Sequence, residues 1–150
     1  MIKLLRRKPK KWLTLEDCES LYNAFKSTAV SRGLEPIPPF STRYFDVLES
    51  ILGSVEQTWN KKHLNPTVLD AASTYFNKFV RSQCFPNGNK RMGILFTHFF
   101  LIIHGIDFEF SSNELFNFAA TIAGAAENGI KPEETLKWCR KIIRQFTKEK

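Results

Sequence analysis

The chain has 150 residues, 43% of them hydrophobic and 14 of them Phe, enough to fill one core but not two, and a formal net charge of +7. No run reaches the ~18 apolar residues that cross a bilayer as a helix, and the longest apolar window, Ile94 to Ile106, is broken by Thr97, His98, His104 and Gly105. Cys18, Cys84 and Cys139 lack disulfide or metal-ligand spacing, so no membrane association is expected and the localisation expected is cytoplasmic.

Taken in chain order, residues 1–13 read as a basic segment and 14–150 as a helical domain. Six of the first eleven residues are Lys or Arg, which suits contact with nucleic acid or an acidic partner, or simply a solvated, partly disordered end. No apolar stretch with a small-residue cleavage site follows, so no secretory leader is expected. Thr14-Leu15-Glu16-Asp17 is a helix start, and the apolar spacing of Leu15, Cys18, Leu21, Tyr22 and Phe25 predicts a helix to about Arg32. Gly33 to Pro39 holds three prolines and reads as an extended connector.

Phe45, Leu48, Leu52 and Val55 predict a second helix from Thr42 to near Trp59, followed by a polar loop up to Pro66, which is assigned to the first turn of the next helix. Val68 to Val80 carries an apolar face, and Met92 to Ile103 is apolar on nearly every side, as for the central helix of a bundle. Asp107 to Phe110 reads as extended, Ser112-Asn113 as a cap, Glu114 to Ala126 as a helix. A last helix opens at Pro132 and buries Leu136, Trp138, Cys139, Ile142, Ile143 and Phe146. The expected fold is all-α, one compact domain of roughly six helices, with room for a small flap-like hairpin or loop.

Between the two most apolar helices stands Gln83-Cys84-Phe85-Pro86-Asn87-Gly88-Asn89-Lys90-Arg91. A glycine loop ending where a buried helix begins leaves backbone N–H groups without intrahelical partners, and these bind anions. Lys90 and Arg91 in the first turn oppose the helix dipole at a cost of about 0.3–1 kcal/mol, which a bound phosphate would reverse. Gly88 permits positive φ, and Asn87 and Asn89 can tie the turn through side-chain bonds. Ordinary Asn-Gly turn chemistry explains the same residues equally well.

Phe85-Pro86-Asn87-Gly88-Asn89-Lys90-Arg91, between helices, resembles the His-x-Phe-x-Asp/Glu-Gly-Asn-Gly/Lys-Arg signature of the Fic/Doc (death-on-curing) family. The likeness spreads over about 100 residues, from Leu48 to Ile143, and leaves the basic start outside it. It implies a toxin-type transfer of AMP or of a phosphate from ATP or another nucleotide onto a protein hydroxyl. It implies that Phe85 anchors the loop, that Asn87, Gly88, Asn89 and Lys90 surround the phosphates, and that Arg91 neutralises their charge. It also implies a target protein and an antitoxin-like partner.

Two positions depart from the signature. Gln83 occupies the place of the catalytic His and cannot accept a proton. Asn87 occupies the acidic, Mg²⁺-holding place with a neutral oxygen, although Asn recurs there in Lys-type members. Since general-base help is worth about 10²–10⁴-fold, the expectation is a catalytically impaired relative, a pseudoenzyme with an intact phosphate loop. The alternatives are an active enzyme with another base and a basic binding module acting through residues 1–11. His98 and His104 read as hydrogen-bonded structural residues and Cys84 as an apolar filler. Ala123 to Asn128, which shares the Glu-Asn end of the family's inhibitory motif, reads as a coincidence inside a core helix.

Overall fold

Side-chain capping sets three of the six described helix starts. In the computed structural model, which describes residues 1–33 and 37–150, α1 (Leu15–Ser31) opens with a capping box: Thr14 Oγ1 accepts from the Asp17 N–H at 3.0 Å and the Asp17 carboxylate accepts from the Thr14 N–H at 3.0 Å. Leu34, Glu35 and Pro36 of the expected connector lie outside the described residues.

The second helix departs from expectation at both ends. Phe40–Thr42 forms a 3-10 turn, and Asp46 at φ 66° turns the chain before α2 (Val47–Glu56) begins. Phe45 therefore precedes the helix and is 94% exposed, while Leu48, Ile51, Leu52 and Val55 make the buried stripe. The segment read as helix end and polar loop holds a hairpin, β1 (Thr58–Trp59) against β2 (Lys62–His63). Its two linking residues, Asn60 and Lys61, both have positive φ, the geometry of a tight turn that matches strand twist.

Pro66 lies before α3 (Val68–Arg81) rather than in its first turn, and Thr67 caps the helix by accepting from the Asp70 N–H. This helix, rather than α4 (Asn89–Ile103), is the central element. It is buried from Val68 to Asn77 except at Asp70 and packs on α2, α4, α5 and α6. α4 buries Met92, Gly93, Phe96, Thr97, Phe100 and Leu101, and leaves Ile94, Leu95 and Phe99 only half-covered on one side.

After α4, β3 (Ile106–Phe108) pairs antiparallel with β4 (Thr147–Glu149). α5 (Ser112–Glu127) is capped by Ser111, one residue earlier than expected, in a second capping box with Glu114. α6 (Pro132–Gln145) buries Thr135, Cys139 and Ile143, one residue per turn. Trp138 and Phe146 fall beside that narrow stripe and stay exposed, with Phe146 stacked on Phe110 at 4.5 Å. The result is a mostly helical domain with six helices and two small strand pairs among the described residues. No described helix is long and apolar enough to cross a membrane.

Residues 3–13 lie on this body. Leu5 and Leu13 are buried in the main core, the Arg7 carbonyl accepts from the Val68 N–H at 2.8 Å, and Leu13 N–H donates to Tyr75 Oη at 3.0 Å. The six cations of the segment remain exposed on a backbone held in place, so the reading of a disordered end is set aside.

Candidate functional site

The loop from Ser82 to Gly88 is shaped by one aromatic plug and one amide. Phe85 is buried, with its ring 4.9 Å from Tyr22, 6.0 Å from Phe40 and 6.2 Å from Phe96. Asn89 accepts from the Phe85 N–H and donates to the Phe85 carbonyl, both at 2.9 Å. The Cys84 carbonyl accepts from the Tyr44 N–H at 2.9 Å. The turn is thus held from the side of α1, from the Phe40–Thr42 turn and from α4 itself.

Gly88 caps α4 in the left-handed region, φ 77°, and no side chain accepts from the first turn. Its carbonyl takes the Met92 N–H at 2.9 Å, the first intrahelical bond. The N–H groups of Asn89, Lys90 and Arg91 precede that bond and have no acceptor within the helix. By contrast, α1, α3 and α5 have side-chain caps and an acid in the first turn. The α4 first turn contains no acid and two cations.

A cavity of about 290 Å³ opens beside this helix start, lined on one wall by Arg81, Ser82, Gln83, Asn89 and Lys90, and on the other by Ala123, Ala126 and Glu127. Gln83 is exposed and Lys90 half-buried. The remaining candidates separate from this group. Asn87 is exposed and outside the cavity lining, and Arg91 turns to a different groove, where its guanidinium lies 5.5 Å from the Phe116 ring centre.

The titratable side chains sort by geometry. Cys84 is buried, and burial first, then nearby Glu49, push its thiol up to about 12, so it is no nucleophile near neutral pH. His98 Nε2 lies 2.6 Å from Asp107 Oδ1; that hydrogen bond is the main reason the Asp107 carboxyl sits below its ordinary range. His98 is nine residues beyond Asn89, ~13 Å along the helix. His104 uses both nitrogens, Nδ1 at 2.7 Å from the Phe100 carbonyl and Nε2 accepting from the Lys10 N–H at 2.9 Å, and lies further still.

The sequence reading missed Arg81 and Ser82 and dismissed Glu127 as part of a coincidental match. Ala123 to Asn128 is not sealed in a core helix: it forms the last turn of α5, and Glu127 is exposed on the cavity wall opposite Lys90. Only the packing of α5 beside α3 and α4 brings it there.

The family profile described as "Fic/DOC family" matches residues 12–101. No curated protein matches the chain.

Proposed function

The chain belongs to the Fic/DOC family of nucleotidyl- and phosphotransferases, and from that premise we propose that it binds a nucleotide by its phosphates at the start of α4 but transfers poorly or not at all. The observation that carries this reading is the α4 N-terminus, without a side-chain cap and acid-free, with Lys90 beside three backbone amides without helical acceptors. These groups fit a phosphate. Lys90 supplies charge, and the amides of Asn89, Lys90 and Arg91 supply directed donors that need no rearrangement. Asn89 holds the loop from behind rather than contacting the ligand with its side chain, because both ends of its amide are engaged with Phe85.

Gln83 lies in the same cavity as Lys90 and can orient a hydroxyl by hydrogen bonding, but its amide accepts no proton at any physiological pH. The transfer step then loses the ~10²–10⁴-fold that a general base provides. Family members generally use ATP with Mg²⁺. The phosphate-binding residues fit the nucleotide, whereas Asn87 brings one neutral oxygen and no charge, a poor site for a hard cation. No step is assigned to the metal. Arg91 assists at longer range, or after leaving Phe116. A target protein with an accessible hydroxyl and an antitoxin-like partner complete the toxin-type reading.

A second reading is favoured by the ordered, exposed cations of residues 3–11, which form a basic face for nucleic acid or an acidic partner. Their removal should lower both the affinity and its salt dependence.

The test is transfer of label from ATP to candidate protein targets, with calorimetric titration of ATP and AMP in parallel, with and without Mg²⁺. Binding without transfer, and transfer gained in Gln83→His, is the expected result. Rapid transfer by the unaltered chain defeats the proposal of impairment; failure of ATP to bind defeats the phosphate site.

A further inference from the structure

A second cavity is roomier than the one at the start of α4. A cleft of about 520 Å³ lies between α2, α3 and the beginning of α6, well inside the size range of small-molecule sites. Its floor is fixed by buried polar bonds. Asn77 Oδ1 accepts from Thr135 Oγ1 at 2.6 Å and Asn77 Nδ2 donates to the Pro132 carbonyl at 3.1 Å, so α6 is locked onto α3 at the cleft edge.

Two cations line the cleft one turn apart on α3, Lys78 and Arg81. Lys78 Nζ donates to Ser54 Oγ at 2.9 Å, and Arg81 Nη1 donates to Thr135 Oγ1 at 3.2 Å. Both are half-buried, and neither is within ion-pair distance of a carboxylate among the described residues. Hydroxyl partners orient these ammonium and guanidinium groups but leave their charge uncompensated. Partly desolvated cations held in that way favour an anion.

The part of the lining that α6 contributes has different chemistry. Glu133 lines the cleft as an exposed carboxylate at the start of α6, and Ile51 and Leu136 add apolar surface to the lining. A ligand that satisfies this lining carries a doubly charged group for the two cations, hydroxyl donors for the carboxylate, and C–H faces for the apolar residues.

We propose that this cleft binds a sugar phosphate, with the phosphate on Lys78 and Arg81 and ring or chain hydroxyls donating to Glu133. This site adjoins the cavity at the α4 start but does not rest on the reading given for it. Arg81 and Ser82 line both cavities, so ligand in the cleft contacts the wall that the other pocket shares.

Amide shift mapping of the ¹⁵N-labelled full chain, titrated with ribose 5-phosphate, inorganic phosphate and ribose, tests it. Ribose 5-phosphate should saturate at millimolar concentration and move the amides of Ser54, Lys78, Thr135 and Glu133, with ribose alone far weaker. Lys78→Met should weaken ribose 5-phosphate roughly ten- to a hundredfold, as for loss of a charged hydrogen-bond donor. Glu133→Gln, at an exposed position that leaves the fold intact, should weaken ribose 5-phosphate but spare inorganic phosphate. Shifts confined to Asn89, Lys90 and Arg91, no saturable binding, or unchanged affinity in both variants would overturn the proposal.

Discussion

Asn89 and Phe85 form a closed pair: one side-chain amide both accepts from the Phe85 N–H and donates to the Phe85 carbonyl, each at 2.9 Å. A residue inside the first turn of α4 therefore shapes the backbone four positions before it, and the plug that fills the core is tied to the helix start that meets solvent. Asn89→Ala removes both bonds. Stability should fall by about 1–3 kcal/mol, read by urea denaturation. ATP affinity should fall further than that of Asn87→Ala, because Asn87 is exposed and ties nothing down in the loop.

Gly93 packs tightly against α3. A Cβ there would stand 3.0 Å from Val80 Cγ2 and 3.2 Å from Phe79 Cβ. Val80 can rotate slightly, but Phe79 Cβ moves only with the α3 backbone. Gly93→Ala should therefore destabilise by about 1–3 kcal/mol through overpacking, against roughly 1 kcal/mol gained in helix propensity. Gly53→Ala, with open space around its Cβ, should be neutral or stabilising, and the pair can be compared by thermal unfolding.

Glu127 places negative charge on the cavity wall opposite Lys90. Glu127→Gln should raise affinity for ATP by a few-fold at low salt, and the gain should shrink as added salt screens the interaction. Calorimetry at two ionic strengths reads the effect; equal affinities at both would show that Glu127 does not oppose the bound anion.

The His98–Asp107 contact predicts an acid-dependent stability. The Asp107 carboxyl is lowered in the folded protein, first by the hydrogen bond to His98, so its contribution is fully present above the unfolded carboxylate pKa of about 3.9 and disappears as pH falls through the lower folded value. Both side chains are more than a third exposed, and the effect is correspondingly small. Melting temperature followed from about pH 5 down to about pH 2 should fall less steeply in Asp107→Asn than in the parent chain.

Thiol labelling separates structural from reactive cysteines. Burial is the leading cause that raises all three, with Cys84 and Cys139 each pushed up to about 12. In the native protein Cys18, Cys84 and Cys139 should react with Ellman's reagent only at the rate of unfolding, and all three promptly in denaturant. Immediate labelling of Cys84 would reopen a nucleophilic role for it.

What could be read in advance was what neighbouring residues impose on one another. Thr14 with Asp17 and Val68 with its apolar successors announced their helices because capping and helical periodicity act within a few residues. The loop was legible for the same reason, since Phe85, Gly88, Asn89 and Lys90 are contiguous and their combined chemistry needs no distant partner. Phe45 misled because apolar spacing cannot report the left-handed turn at Asp46 that ends the pattern one residue later.

The sequence by itself therefore determined the helical class, the starts of α1, α4 and α6 and the residues at the head of α4. Tertiary structure decided that α3 is the centre, that Ile106–Phe108 finds Thr147–Glu149, that Glu127 faces Lys90's cavity and that Arg91 turns away to Phe116. Those relations join residues far apart in the chain, and side-chain packing across helices, rather than any local backbone preference, selects them.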